Sequence, residues 1–67
     1  MFEKNEFRAA VVRNGMTIKE LAKCIDINAA TLHRKMSGVS DFTIMEINRI
    51  CKVLDLTNDD MVKIFFG

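Results

Sequence analysis

The chain has 67 residues and no proline, tryptophan or tyrosine, a length that fits one small domain and leaves no room for a second. Apolar residues make up 49%, enough for a core and too many for a disordered tail, yet their longest unbroken run, Ala9 to Val12, is far short of the roughly 18 residues a membrane span needs. Net charge is only +1, and acids at Glu3 and Glu6 stand where a secretory leader would be apolar, so a soluble intracellular protein is expected.

In chain order, apolar spacing and stop signals predict five short helices, at 4–14, 17–24, 28–36, 43–54 and 57–65, and no strand. The first turns Phe7, Ala10 and Val11 inward and stops at Gly15. Thr17, with Glu20 three residues on, opens the second in a capping box; its inward residues are Leu21, Ala22 and Ile25. Asn28 caps the third, which buries Leu32 and Met36 and ends at Gly38. Thr43 with Glu46 opens the fourth, the most regular, where Ile47, Ile50, Cys51 and Leu54 recur at helical spacing. Thr57 opens the fifth, with Asp60 expected to be too short to complete the box, and Met61, Val62, Ile64, Phe65 and Phe66 make it apolar nearly all round.

Catalysis finds little support. The chain has no Gly-rich phosphate loop, no nucleophile elbow and no carboxylates paired on a plausible cleft wall. Cys24 and Cys51 lack metal-ligand spacing, and a lone His33 cannot complete a zinc site with them. They read as reduced, semi-buried small apolar residues. No enzyme activity, metal or cofactor is expected.

Residues 17–38, TIKELAKCIDINAATLHRKMSG, place two short helices on either side of Ile25-Asp26-Ile27. Ala22 is small enough for two crossing helices to approach, and Leu21, Ile27 and Leu32 supply apolar contacts from helix, turn and helix, as a helix-turn-helix requires. Charge follows the same division: residues 1–38 hold seven bases against four acids. The solvent face of the third helix is expected to carry Ala29, Ala30, Thr31, His33 and Arg34, with Lys35 at its edge. Arg34 suits bidentate bonds to guanine O6 and N7, His33 can donate to a base or a phosphate, and the two alanines can meet thymine methyls. Thr17 through its amide, Lys19, Asn28, Lys35, Ser37 and Ser40 are candidates for phosphate contacts, which set register.

At these residues the chain resembles the phage repressor and Cro type of helix-turn-helix family, also called lambda-repressor-like. The resemblance runs from Phe7 to about Ile64 and rests on Arg13-Asn14-Gly15-Met16-Thr17, Lys19-Glu20-Leu21-Ala22, Thr31-Leu32-His33-Arg34, Ser37-Gly38 and the run from Ile47 to Leu56. It implies an all-α, five-helix fold, binding of double-stranded operator DNA as a dimer, and no cofactor. The chain departs from the family at four places. Asp26 replaces the usual turn glycine. Val11 and Met36 stand where many relatives pair an arginine with a glutamate, which predicts an apolar contact there. Ile18 replaces a common glutamine, and Ala29 and Ala30 replace polar residues at the start of the recognition helix.

The fifth helix holds more apolar side chains than its share of a core requires. Met61, Ile64, Phe65 and Phe66 are therefore the expected surface for a weak homodimer, formed before or upon DNA binding, or for a protein partner. The alternative is that Phe65 and Phe66 fold back and close the core. The sequence-level reading is a Cro-like repressor acting on a pseudo-palindromic operator. An antitoxin-type regulator, or a helical module that binds another protein such as a repressor, remains as an alternative.

Overall fold

A computed structural model describes residues 1–67. Its helices are α1 (Lys4–Arg13), α2 (Ile18–Cys24), α3 (Ala29–Met36), α4 (Ile44–Val53) and α5 (Asn58–Met61), and α5 runs on as a wider π-helical turn over Val62–Phe66. There is no strand, and the all-α, five-helix expectation holds. The π-helical turn was not foreseen, because helical apolar spacing does not separate the two windings. No helix is long and apolar enough to cross a membrane.

Helix starts follow the sequence signals closely. Thr17 and Thr43 each accept at 3.1 Å from the amide of the third helical residue, Glu20 and Glu46, whose carboxylates reach back to the threonine amides at 2.9 and 2.8 Å. Asp60 corrects the expectation that it is too short, because the Thr57 amide donates to its Oδ2 at 3.2 Å. The missing methylene lengthens the bond without abolishing it.

The ends of α1 to α4 share one device. Gly15 (φ 69°), Asp26 (62°), Gly38 (84°) and Asp55 (52°) are each left-handed just past the helix. In each case the next amide bonds back to the carbonyl five residues earlier: Met16 to Val11, Ile27 to Ala22, Val39 to Arg34 and Leu56 to Cys51, at 2.9–3.1 Å. Met16, Ile27 and Leu56 then pack against the core. Val39 is the exception, at 73% exposed. Asp26 thus enters the left-handed region where the family uses glycine, as Asp tolerates better than most side chains.

The 13 buried residues are all apolar, form one cluster and include no polar or charged side chain. Every predicted inward residue of α1 to α3 is among them. Val11 and Met36 lie in this cluster, so an apolar core occupies the place of the relatives' ion pair. Phe2 and Phe42, neither of which sequence periodicity flagged, join Phe7 and Phe65 in an aromatic cluster with ring centroids 5.1–6.3 Å apart. It ties the N-terminal segment, the loop before α4 and the C-terminal turn together, and each such pair contributes about 0.5–1.5 kcal/mol beyond its buried area. Two side chains close the frame. Asn14 Nδ2 donates to the carbonyls of Ala10 (2.8 Å) and Leu54 (3.1 Å), and Arg49 Nη1 donates to the Ile25 carbonyl at 3.3 Å. The Arg49 bond fastens α4 to the turn that leads into α3.

Candidate nucleic-acid interface

The packing of α2 on α3 rests on Leu21 and Ala22 from one helix and Leu32 and Met36 from the other, all buried. That fixes which face of α3 is free. Asn28 Oδ1 accepts from the Thr31 amide at 2.8 Å, so the helix begins sharply, and no acid lies in its first turn. Its last turn holds His33, Arg34 and Lys35.

Ala30, His33 and Arg34 are exposed. Ala30 and Arg34 stand one turn apart on the same side, and Thr31 Oγ1 accepts from Arg34 Nη2 at 3.1 Å. That bond orients the guanidinium along the exposed face while leaving other donors free for a planar acceptor pair. Ala29 departs from expectation: it is half-buried and packs against the core, because the first turn of α3 leans on the helix-turn-helix frame. Thr31 is also half-buried.

The candidate phosphate contacts divide. Lys19, Ser37 and Ser40 are exposed, as is Asn28, whose side chain is already the α3 cap. Thr17 is exposed, but its amide is donated to Glu20 and its hydroxyl accepts the Glu20 amide, so the expected free amide is engaged. Lys35 corrects the sequence expectation more strongly. Its ammonium donates to Glu46 Oε1 and to the Asp41 carbonyl, both at 2.9 Å, with the two side chains only 11% and 14% exposed. It is a clasp between α3 and α4. Burial works to raise the Glu46 pKa, but the Thr43 amide and Lys35 together outweigh it and hold the carboxyl below its usual value.

The expected association surface also changes. Ile64 and Phe65 are buried in the core, at 3% and 8% exposed, so they are not available to a partner. Phe65 is drawn in by the aromatic cluster. Met61 is half-buried, and Phe66 remains open at 59%. Phe66 and part of Met61 are what is left of the expected patch, and Val62, one turn before Phe66 and outside that expectation, is exposed as well.

One further residue belongs beside this surface. Arg8 of α1 lines an open cleft with Val12, Met16, Thr17, Ile18 and His33. The sequence signal for it was slight: a base one turn before Val12, flanking the buried stripe of α1.

A family model for the Cro/C1-type HTH DNA-binding domain matches residues 8–66. No curated protein and no solved structure matches the chain.

Proposed function

Because the chain belongs to the Cro/C1-type helix-turn-helix DNA-binding family, we propose that it is a sequence-specific transcription regulator of the phage Cro kind that reads a pseudo-palindromic operator with α3 in the major groove. The observation that carries this reading is the exposed, acid-free face of α3, on which Thr31 orients Arg34 beside Ala30. A helix of this diameter fits the major groove, and a guanidinium on its outer face can address guanine O6 and N7 together. Lys19, Ser37 and Ser40 flank that face as phosphate partners that fix register.

The 67 residues act as one binding domain, a reading supported by a single core drawn from helices along the chain. Two copies pair through Phe66 and Val62, which sets two recognition helices about 34 Å apart, one turn of DNA. Such a small patch suits a weak dimer that DNA completes.

The test is selection from a random duplex pool, followed by Arg34→Ala on the selected site. An enriched inverted repeat is expected, with Arg34→Ala relaxing preference at one base pair per half-site by about 1–3 kcal/mol. Failure to enrich any sequence, with weak binding lost near physiological salt, would overturn the reading in favour of a protein partner.

A further inference from the structure

Two side-chain bonds join the helix-turn-helix of α2 and α3 to α4, and none joins it to α1 or α5. Lys35, in the last turn of α3, donates to Glu46 Oε1 at 2.9 Å. Arg49 Nη1 donates to the Ile25 carbonyl, in the turn before α3, at 3.3 Å. Glu46 and Arg49 stand three residues apart on α4, the spacing at which opposite charges on a helix pair with each other. No ion pair joins them. Each turns instead to the helix-turn-helix, one at either end of α3.

The rest of the packing around α3 is apolar, through buried Leu21, Ala22, Leu32 and Met36. Burial of carbon is non-directional and does not by itself fix the tilt of a short helix, whereas a hydrogen bond does. The Arg49 bond falls where tilting would begin. The Ile25 carbonyl and the Asp26 amide share one peptide plane, and Asp26 is left-handed (φ 62°), a conformation that a residue other than glycine holds at a cost. Arg49 holds the oxygen of that plane, and the Lys23 carbonyl accepts from its amide at 3.3 Å. A guanidinium also suits the negative C-terminal end of α2. With eight residues, α3 is about 12 Å long, so a tilt of about 10° pivoting at Lys35 moves its first turn by about 2 Å. Contacts at base edges are lost over a far smaller displacement.

We propose that Arg49 is a positioning residue for base reading: by fixing the Ile25–Asp26 peptide plane it sets the angle at which α3 enters the major groove, without itself touching DNA. The proposal rests on the DNA-binding reading above and adds α4 to the determinants of specificity. Its signature is graded along α3. Ala30, near the end that Arg49 holds, depends on the bond; Arg34, beside the Lys35 pivot, keeps most of its own preference without it.

The experiment uses the full chain and a fluorescently labelled duplex bearing the selected site, competed by unlabelled duplexes that carry each single base-pair substitution in turn. Ala30→Ser and Arg34→Ala first mark the pair that each residue faces. Arg49→Met keeps the stem and removes the donors. It is expected to relax preference at the Ala30 pair by about fivefold, the lower end of what one mismatched pair costs, and to leave the Arg34 pair within about twofold of wild type. The salt dependence of binding is expected to keep its wild-type steepness, since no phosphate contact is lost. Lys52→Gln, which removes an exposed base from the same helix, is the control and keeps the wild-type preferences. Arg49→Lys, with a cationic donor on a shorter stem, is the second variant should Arg49→Met fail to melt cooperatively, and is expected to show the same gradient at smaller size.

A variant that melts lower yet keeps the wild-type preference at every pair would overturn the proposal and leave Arg49 a stabilising bond only. Equal relaxation at the Ala30 and Arg34 pairs would overturn it too, as would a salt slope lowered by about one, the mark of a direct phosphate contact. It also falls if no pair answers to Ala30, because α3 then has no reading at that end to displace. If the wild-type protein itself prefers no sequence, the DNA-binding reading fails along with this one, a result distinct from failure of the variants alone.

Discussion

Lys35→Met separates two roles that a basic residue at the edge of a recognition helix can play. Sequence logic assigns Lys35 to a phosphate; the structure has its ammonium donating to Glu46 and the Asp41 carbonyl, with 11% of its side chain exposed. Methionine keeps the aliphatic stem and removes the charge, leaving Glu46 largely buried with only its Thr43 bond. Breaking a fully buried pair costs about 3–5 kcal/mol, and a fully exposed pair contributes about 0–1. This pair is mostly but not wholly buried and Glu46 keeps one strong partner, so the expected cost is about 2 kcal/mol. Domains of this size have about 3–10 kcal/mol in total, and each kcal/mol moves the midpoint by about 4–8 °C, so Tm should fall by about 8–16 °C. The melt is followed by far-UV circular dichroism, since the chain has no tryptophan or tyrosine. DNA binding, measured well below the lowered Tm, should keep the wild-type salt slope. A Tm within about 2 °C of wild type, together with a slope reduced by about one, would refute the clasp and restore the phosphate role.

Four further outcomes follow from the frame. Asp26→Gly should raise stability by about 0.5–1 kcal/mol by relieving the left-handed residue, and Asp26→Val should lower it by about 2 kcal/mol, both read from thermal melts. Phe65→Ala, which empties a place in the aromatic cluster, should cost about 3–5 kcal/mol. Phe66→Ser should stay within about 0.5 kcal/mol in the monomer while weakening self-association in sedimentation equilibrium. Glu46 and Asp60 are both held below their ordinary carboxylate values, Asp60 chiefly by the Thr57 amide. Their stabilisation is therefore complete above the unfolded-state pKa of about 4 and is lost as pH falls through the lower folded values. Urea melts from pH 6 down to about pH 2 should show that decline, and Glu46→Gln should flatten part of it.

Helix positions and caps were legible because they are local: a threonine with an acid three residues on needs nothing else in the chain to act. The inward stripes of α1 to α3 were legible for the same reason, since periodicity alone selects them. What escaped the sequence depends on contacts between distant segments. Phe2 and Phe42 lie outside any helix and acquire their place only when the chain brings them to Phe7 and Phe65. Lys35 looked free because Glu46 is eleven residues away, beyond any helical neighbour rule. Asp55 ends α4 in the left-handed conformation, yet without a glycine it offered no stop signal. In the candidate interface, the exposed trio of Ala30, His33 and Arg34 followed from helical geometry, whereas the half-burial of Ala29 follows from how the turn seats α3.

A net charge of +1 is a poor guide to whether this chain meets phosphates, because the charges are not equally available. Glu20, Glu46 and Asp60 are each committed to the amide that opens their helix. Lys35 is committed to Glu46, and Lys63 approaches Glu6 at 3.3 Å in an exposed pair that contributes little. Arg49 serves the carbonyl of Ile25. None of these residues lies on the exposed face of α3, where His33 and Arg34 have no acid among them. A chain of this kind can remain nearly neutral as a whole, which limits indiscriminate attraction to polyanions, while its local field at α3 stays positive. On this arrangement, affinity should depend on a few placed contacts more than on long-range attraction. Removing Arg34 should then cost more, relative to total binding, than removing any exposed base elsewhere.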